Sequence, residues 1–248
     1  MDTYIEIINL IKASEQTVIL TGAGVSTESG LPDFRSDNGF WTKNKPIQFN
    51  DFVASEEKQR LSWKRNIELH NLLKDITPNI GHMFVAKVIN KKKKNFLITQ
   101  NIDGLHQKSG IPNNKIIEIH GSAIEAECIE CEEKQNIFDF HAAIKKKISL
   151  PKCSKCNGIV KVATISFGQP INKSDMASAS KISSECDLMM VMGSSLQVMP
   201  AGQLPSLAMQ SGSKVIIFNR EKTSYDSFAD IVINDELKNI CSKLIKEI

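Results

Sequence analysis

Two Cys-x-x-C pairs are the strongest chemical signal in the sequence. Cys128 and Cys131 form the first pair, and 21 residues separate them from Cys153 and Cys156. Two such pairs can supply four thiolates to one tetrahedral Zn²⁺, with each pair forming a tight turn. Four protein sulfurs leave no open coordination position, so we expect one structural zinc ion and not a catalytic one. A reducing dithiol and a chance pattern are the alternatives.

A glycine-rich segment combines features of a phosphate loop with an acid and a base. In "GAGVSTESGLPDFRS" (residues 22–36), three glycines follow the apolar run "TVILT". Glycines after a strand let the backbone approach a pyrophosphate, and the amides of the next helix favour an anion. The third glycine comes late for G-x-G-x-x-G, and glycine also serves tight turns that hold no ligand. The segment alone therefore leaves both interpretations open.

The acidic residue expected of an ordinary dehydrogenase is not convincingly present. Such an enzyme carries an acid about 20 positions after the glycines, at the end of its second strand. Asp51 lies near that distance, but it follows a loop interrupted by proline. The sequence therefore disfavours hydride transfer.

Polar residues follow other apolar runs. "TQNIDGLHQ" places Gln100, Asn101 and Asp103 together, where Asp103 could cap the next helix or the amides could bind a carboxamide and a ribose. His120 ends the run "KIIEIHG", and an imidazole with a pKa near 6.5 suits a general base, although a histidine there can also be structural.

The remaining histidines and cysteines are expected to have structural roles. The helical pattern around them predicts surface positions for His70, His82 and His141. Cys186 and Cys241 stand apart from the pairs and are expected in the core, where cysteine behaves as a small apolar residue.

The elements that must position these residues alternate between strand and helix. Residues 3–13 have apolar positions at helical spacing, and further helices are predicted at 79–91, 175–185 and 200–211. Runs of branched apolar residues predict strands at 95–103, 115–121, 187–195, 214–220 and 229–234. This order predicts a doubly wound α/β fold, a parallel Rossmann-like sheet with helices on both faces. Its ligand site should lie beyond the carboxyl ends of the strands.

Two stretches do not fit this core and predict a smaller inserted lobe. Residues 37–78 contain a loop and helices around "EEKQRLSWKRNIELHNLL", and residues 122–163 carry the cysteine pairs as a zinc-ribbon module. The Rossmann-like core would then comprise residues 1–36, 79–121 and 164–248. We expect a single catalytic domain built from these pieces.

Composition limits the class of protein. The chain has 248 residues, 41% of them hydrophobic, which is enough for one large core with a small satellite. A net charge of +3 predicts no direct nucleic-acid partner, and no apolar segment approaches the ~18 residues of a membrane span. We expect a soluble, cytoplasmic protein.

Taken together, these segments resemble the sirtuins, the NAD-dependent protein deacylases. The resemblance rests on "GAGVSTESGLPDFRS", "TQNIDGLHQ", "EIHG", the four cysteines, "ISFGQ", "GSSLQVMPA", "FNR" and "ADIVI". They occur in the family's order from about residue 10 to 235. The compact chain is similar to bacterial members, and its motifs imply NAD as co-substrate and one structural zinc ion.

The resemblance assigns roles residue by residue. It implies cofactor binding by Gly22, Ala23, Gly24, Thr27, Asp33, Phe34, Arg35, Trp41, Gln100, Asn101, Ile102, Asp103, Gly193, Ser194, Ser195, Asn219 and Ile231. Asp33, Phe34 and Arg35 would close over the cofactor, which explains the acid and base beside the glycines. An acyl-lysine protein or peptide would lie extended against Ile165, Phe167 and Gly168.

The implied reaction uses three catalytic residues. Asn101 and Asp103 would bind the nicotinamide carboxamide, and Gln100 the ribose. The acyl oxygen of the lysine would attack the ribose carbon to give an alkylamidate, and His120 would act as base on the ribose hydroxyls. The products would be nicotinamide, free lysine and O-acyl-ADP-ribose. No arginine aligns with those of succinyl-preferring members near Trp63, so acetyl is the expected acyl group.

Two alternatives to deacetylation remain. NAD hydrolysis or ADP-ribosyl transfer would use the same cleft, and release of nicotinamide without acyl peptide would distinguish them. A zinc-ribbon module that binds nucleic acid or protein would instead show salt-sensitive binding without NAD.

Overall fold

The structure, a computed structural model, describes residues 2–32, 45–146 and 149–248. The strands are β1 (Thr17–Thr21), β2 (Phe96–Thr99), β3 (Ile116–Glu118), β4 (Gly121–Cys128), β5 (Lys134–Asn136), β6 (Val160–Thr164), β7 (Leu188–Met192), β8 (Lys214–Phe218) and β9 (Ile231–Ile233). The α-helices are α1 (Thr3–Ala13), α2 (Phe49–Ala54), α3 (Glu56–Leu73), α4 (Ile80–Lys91), α5 (Leu105–Lys108), α6 (Phe138–Lys145), α7 (Lys173–Glu185), α8 (Leu204–Gln210) and α9 (Leu237–Leu244). Short 3₁₀ turns lie at Ala23–Val25, Thr27–Ser29, Asn113–Lys115 and Ala201–Gln203.

The larger sheet has six parallel strands in the order β3-β2-β1-β7-β8-β9. The chain moves outward from β1 to β3 and then returns to the other side of β1, so the strand order reverses between β1 and β7. This is the doubly wound arrangement predicted from the sequence, and its reversal opens a crevice at the carboxyl ends of β1 and β7.

Helices cover both faces of this sheet. On β1, Ile19 packs in a cluster with α1, α4 and α9, whereas Val18 and Leu20 pack in a second cluster with α7 and α8. Burying one such side chain contributes about 1.5–3 kcal/mol, so β1 is held from both sides. Cys186 and Cys241 belong to these clusters, as predicted.

The smaller sheet is antiparallel, in the order β5-β4-β6, and packs with α3 and α6. Trp63 on α3 is fully buried at its centre, and its Nε1 donates to the carbonyl of Val160 at 3.3 Å. Asp51 lies on α2, not on a second strand of the larger sheet, so no ribose-binding acid of the dehydrogenase kind is formed there. Among the described helices, none combines the length and apolar character that crossing a membrane requires.

Two of the predicted surface histidines are buried instead. His82 has no solvent exposure because its ring turns back to cap α4: the backbone N–H of Asn79 donates to His82 Nδ1 at 3.3 Å. The Asn79 side chain in turn accepts from the first turn of α4, which completes a capping box. His141 is buried where α6 packs on α3, with its Nε2 3.1 Å from Asn66 Oδ1. The surface prediction was wrong for both.

Candidate active site and cysteine module

A cleft of about 1440 Å³ runs along the carboxyl ends of the parallel strands. Its described wall includes most of the residues predicted for the site: Gly22, Ala23, Gly24, Thr27, Gln100, Asn101, Ile102, His120, Ile165, Phe167, Gly168, Gly193, Ser194, Ser195 and Asn219. Asp33, Phe34, Arg35 and Trp41 lie outside the described residues.

The glycine loop after β1 packs directly on the loop after β7. A Cβ atom on Gly22 would lie 2.7 Å from the carbonyl oxygen of Gly193, and one on Gly24 would lie 2.8 Å from the Gly193 Cα. Gly193 has a φ of 61°, and a Cβ atom on it would lie 2.5 Å from the backbone nitrogen of Val25. These glycines are thus required for the contact between two loops, in addition to any approach of a ligand backbone.

Gln100 is held at one end and free at the other. The Ser194 hydroxyl donates to Gln100 Oε1 at 2.7 Å, which fixes the orientation of the amide. Gln100 Nε2 is buried and has no hydrogen-bond partner among the described residues. A buried donor without an acceptor costs about 1–3 kcal/mol, and an acceptor on a ligand in the cleft would offset this cost.

The Asn101 amide shows the reverse of Gln100: its nitrogen is hydrogen-bonded and its oxygen is not. Its Nδ2 donates to the Ser26 hydroxyl oxygen at 3.1 Å, and Ser26 donates to Asp103 Oδ2 at 2.7 Å. Asn101 Oδ1 is buried and has no partner among the described residues. Two adjacent residues of the cleft wall thus contain a buried acceptor and a buried donor without partners among the described residues.

Asp103 lies behind Asn101 and does not line the cleft. Its Oδ1 accepts from the backbone N–H of Leu105 at 2.9 Å, so it caps the following turn, while Oδ2 accepts from Ser26. Burial raises the pKa of this carboxyl above its ordinary value, although both hydrogen bonds act in the opposite direction. Asp103 thus holds the start of the following turn and the Ser26 hydroxyl, although the residue that precedes α5 as its N-cap is Gly104. Direct binding of a ligand by Asp103 stays a prediction.

His120 lines the cleft, and one of its two ring nitrogens has no hydrogen-bond partner in the described structure. Its Nδ1 lies 3.2 Å from the carbonyl oxygen of Gln100, which accepts the Nδ1 proton and leaves Nε2 as an acceptor. Nε2 is buried and has no partner in the described structure. Burial lowers the pKa of His120 below 6.5, and the Gln100 carbonyl opposes this only in part. The ring is thus neutral at pH 7 and able to take a proton at Nε2.

One wall of the cleft carries no charged side chain among the residues that the structure describes. Residues 164–171 and 197–200 contain no acidic or basic side chain, and Phe167 and Met199 are exposed there. The backbone N–H of Ile165 donates to the carbonyl of His120 at 2.8 Å, which ties this wall to the histidine.

The opposite end of the cleft is charged. Asn219 follows β8, and Arg220 forms ion pairs with Glu221 at 3.4 Å and Glu236 at 3.6 Å. Ile231 does not line this end. It begins β9, two residues before the carboxyl end of that strand, and its side chain packs in the core. The expected contact of Ile231 with the cofactor stays a prediction.

The sequence did not point to two residues behind the cleft. Ser26 joins Asn101 to Asp103, and its position inside "GAGVS" was the available signal. His82 Nε2 lies 3.4 Å from the Ser26 hydroxyl, and burial lowers its pKa to about 4. No local pattern connects His82 with a loop that lies 56 residues earlier.

The four paired cysteines form one cluster in the smaller lobe. Their Sγ atoms all lie within 4.8 Å of one another, with 3.5 Å between Cys128 and Cys156 and 3.6 Å between Cys131 and Cys153. A tetrahedral zinc ion with Zn–S bonds of about 2.3 Å separates its sulfurs by about 3.8 Å. The four thiolates therefore fit one zinc ion with no position left for a substrate.

Two matching turns build this cluster. In one, the N–H of Glu132 donates to the carbonyl of Cys128 at 3.0 Å, and in the other, the N–H of Asn157 donates to that of Cys153 at 2.9 Å. Glu132 and Asn157 both have positive φ, 58° and 61°, which reverses the chain after the second cysteine of each pair. Each pair thus forms the tight turn that its spacing predicted.

A doubly wound parallel sheet with a polar cleft at the point where the strand order reverses is typical of α/β proteins that bind a nucleotide. The chain belongs to the Sir2 family, because the sequence model of that family matches residues 22–200. This confirms the sirtuin resemblance.

Known proteins resemble this chain over nearly its whole length. NAD-dependent protein deacetylase 1 of Bradyrhizobium diazoefficiens is 40% identical over 229 residues, which cover 92% of this chain and 90% of the relative. A solved Sir2 structure with a p53 peptide and NAD⁺ has a TM-score of 0.84 and 34% identity, covering 98% of this chain and 97% of the other. A Sir2 complex with an inhibitor, 2′-O-acetyl-ADP-ribose and deacetylated p53 peptide has a TM-score of 0.80 and 34% identity, covering 98% of each chain.

Proposed function

We propose that the protein is an NAD-dependent protein-lysine deacetylase. Its membership in the Sir2 family and a relative named NAD-dependent protein deacetylase 1 support this proposal. The observation that carries it is that three of the eight buried polar side-chain atoms without partners in the described structure belong to residues of the cleft wall: Gln100 Nε2, Asn101 Oδ1 and His120 Nε2. A donor, an acceptor and a neutral base that line one cleft fit a dinucleotide with a carboxamide and ribose hydroxyls.

The proposed co-substrate is NAD, which supplies a glycosidic bond whose cleavage releases nicotinamide and provides ADP-ribose as the acyl acceptor. Asn101 Oδ1 accepts from the carboxamide N–H, with Ile102 beside it, and Asp103 acts by holding Ser26. Gln100 Nε2 donates to the ribose. These assignments use only atoms that the protein leaves free.

His120 is the proposed general base. Because Nδ1 is committed to the Gln100 carbonyl, Nε2 is the atom that takes a proton from a ribose hydroxyl. The pKa, lowered below 6.5 by burial, keeps this nitrogen unprotonated at neutral pH. The hydrogen bond also prevents the ring from presenting the wrong nitrogen.

The rest of the cleft is proposed to bind the phosphates and adenosine of NAD and the acetyl-lysine peptide. Phosphate and ribose contacts are assigned to Gly22, Ala23, Gly24, Thr27, Gly193, Ser194 and Ser195, the adenosine ribose to Asn219, and closure over the cofactor to Asp33, Phe34, Arg35 and Trp41. An acetyl-lysine peptide is proposed to lie against Ile165, Phe167 and Gly168. The absence of charge along this described wall supports a neutral acyl group such as acetyl.

The zinc ion is proposed to have a structural role only, because Cys128, Cys131, Cys153 and Cys156 would fill its coordination shell. We also propose one catalytic domain with the core and lobe boundaries given by the sequence. A cytoplasmic location, where such thiols stay reduced, is proposed on the same grounds.

Mass spectrometry of all products tests the proposed activity. The protein is incubated with NAD and an acetyl-lysine peptide, beside a reaction without peptide and beside the His120→Ala and His70→Ala variants. We expect deacetylated peptide and O-acetyl-ADP-ribose in step with nicotinamide, with loss in His120→Ala only. Equal nicotinamide release without peptide would identify an NAD hydrolase or transferase instead.

A further inference from the structure

Three polar side chains are buried behind the cleft without lining it. Thr21, Thr99 and His106 are 0%, 2% and 1% exposed, and they lie where β1, β2 and α5 meet. Buried polar groups cost free energy unless they are hydrogen-bonded, so their partners indicate their role.

The three side chains form a directed chain of hydrogen bonds. Thr21 and Thr99 are register neighbours on β1 and β2, and Thr21 Oγ1 donates to Thr99 Oγ1 at 2.8 Å. Because this uses the single proton of the Thr21 hydroxyl, Thr21 must accept from His106 Nε2 at 2.9 Å. His106 is thus fixed as the neutral tautomer with its proton on Nε2. Burial supports this, since it lowers the pKa of His106 well below 6.5.

The other end of the chain reaches the cleft residue Asn101. Thr99 Oγ1 also accepts from the backbone N–H of Asn101 at 3.1 Å. The Asn101 side chain is held separately, through Ser26. The position of Asn101 Oδ1 in the cleft therefore depends on two supports, one for the main chain and one for the side chain.

We propose that His106 is a positioning residue, which acts through Thr21 and Thr99 to fix the main chain of Asn101 and so orients the nicotinamide subsite. The proposal rests on the proposed function, because that function assigns nicotinamide to Asn101. His106 lies five residues after Asn101, in the short helix α5 that follows the Asn101 loop, so its bond to Thr21 anchors the end of that loop on β1.

Two substitutions at His106 separate hydrogen bonding from space filling. His106→Gln keeps an N–H donor near the position of Nε2, whereas His106→Leu has a similar size and no donor. In His106→Leu we expect the inhibition constant of nicotinamide and the KM for NAD to rise roughly five- to tenfold, the effect of losing about one hydrogen bond. The KM for the acetyl-lysine peptide should not change, and His106→Gln should stay near the wild type.

A double substitution tests the path. Thr21→Val keeps the shape of the side chain and interrupts the chain at its middle, so it should reproduce the effect of His106→Leu. The two combined should have no larger effect than either alone, because both remove the same connection. Melting midpoints are recorded for every variant, and the affinity for NAD is measured by calorimetry as a readout that needs no turnover.

Three results would overturn the inference: equal effects of His106→Gln and His106→Leu, additive effects of His106→Leu and Thr21→Val, or parallel rises in the KM for NAD and peptide that follow the melting midpoint. Failure of the proposed function would look different. In that case the wild type itself would release no nicotinamide in response to peptide, and calorimetry with NAD would still compare the variants.

Discussion

The cysteine module and the cleft differ in how their functional atoms are assembled. The module consists of two short turns, each closed by hydrogen bonds within five residues of its first cysteine. The cleft takes its polar atoms from loops after β1, β2, β3, β7 and β8, and leaves three buried atoms without a partner in the described structure. The geometry of the module is consistent with one metal ion that would stabilise it, whereas the three buried atoms of the cleft carry the cost of missing hydrogen bonds, which bound ligands would offset.

Removal of one zinc ligand should have the largest effect. In Cys153→Ser we expect the zinc content to fall from about one ion per chain to near zero, because the remaining three thiolates lose the tetrahedral site. Structural zinc contributes of order 10 kcal/mol to the folding of small modules, so the lobe that contains Trp63 should unfold and activity should disappear. Metal analysis and near-ultraviolet circular dichroism measure both effects.

Cys186→Ser is the matched control, because Cys186 is an equally buried thiol outside the cluster. It should retain its zinc. A Cys153→Ser protein with full zinc content and an intact lobe would contradict the structural role of the metal.

Replacement of the base should affect the cleft and leave the module intact. In His120→Ala we expect kcat for peptide deacetylation to fall by roughly 10²–10⁴-fold, the usual contribution of a positioned general base. Zinc content should not change. A loss of less than about fivefold would show that another group takes the proton.

The same contrast explains what could be predicted from the sequence. The turns at Cys128 and Cys153 need only local spacing, and α1 was predicted to the residue because apolar side chains recur at helical spacing. The strand-end position of His120 followed from a buried strand pattern. These features depend on residues that are neighbours in sequence, so local patterns predict them.

The supports behind the cleft could not be predicted in this way. Ser26 contacts Asp103 across 77 residues, and His82 reaches Ser26 only because its ring caps α4. Ile231 is a second example, because its apolar strand pattern alone does not show that its side chain packs in the core. Such placements depend on the tertiary packing of elements and not on local pattern.

A methyl group between the two loops of the cleft should have a moderate effect. In Gly24→Ala the new Cβ would lie 2.8 Å from Gly193 Cα, so the loops must separate at a cost of about 1–3 kcal/mol. We expect the affinity for NAD, measured by calorimetry, to fall about five- to 100-fold. Gly212→Ala is the control, because its Cβ meets no atom within 4 Å and its positive φ alone is strained. Equal losses of NAD affinity in both variants would contradict the contact between the loops.

The smallest expected effect is that of pH on kcat/KM near neutrality. The pKa of His120 is lowered below 6.5 by burial, so its neutral form persists to lower pH than that of an exposed histidine. The kcat/KM for peptide should therefore be flat from pH 8 to about 6.5 and fall by about tenfold per unit only below the lowered pKa.

Protonation of the thiolates at low pH would release zinc and destabilise the cysteine module. The zinc content is therefore measured at each pH, which separates the titration of His120 from loss of the metal. If the rate falls with a midpoint below 6.5 while zinc is retained, the acid limb belongs to the cleft. A midpoint above 6.5 with zinc retained would mean that a negative charge outweighs burial at His120. Burial would then no longer explain why Nε2 is free to accept a proton at neutral pH.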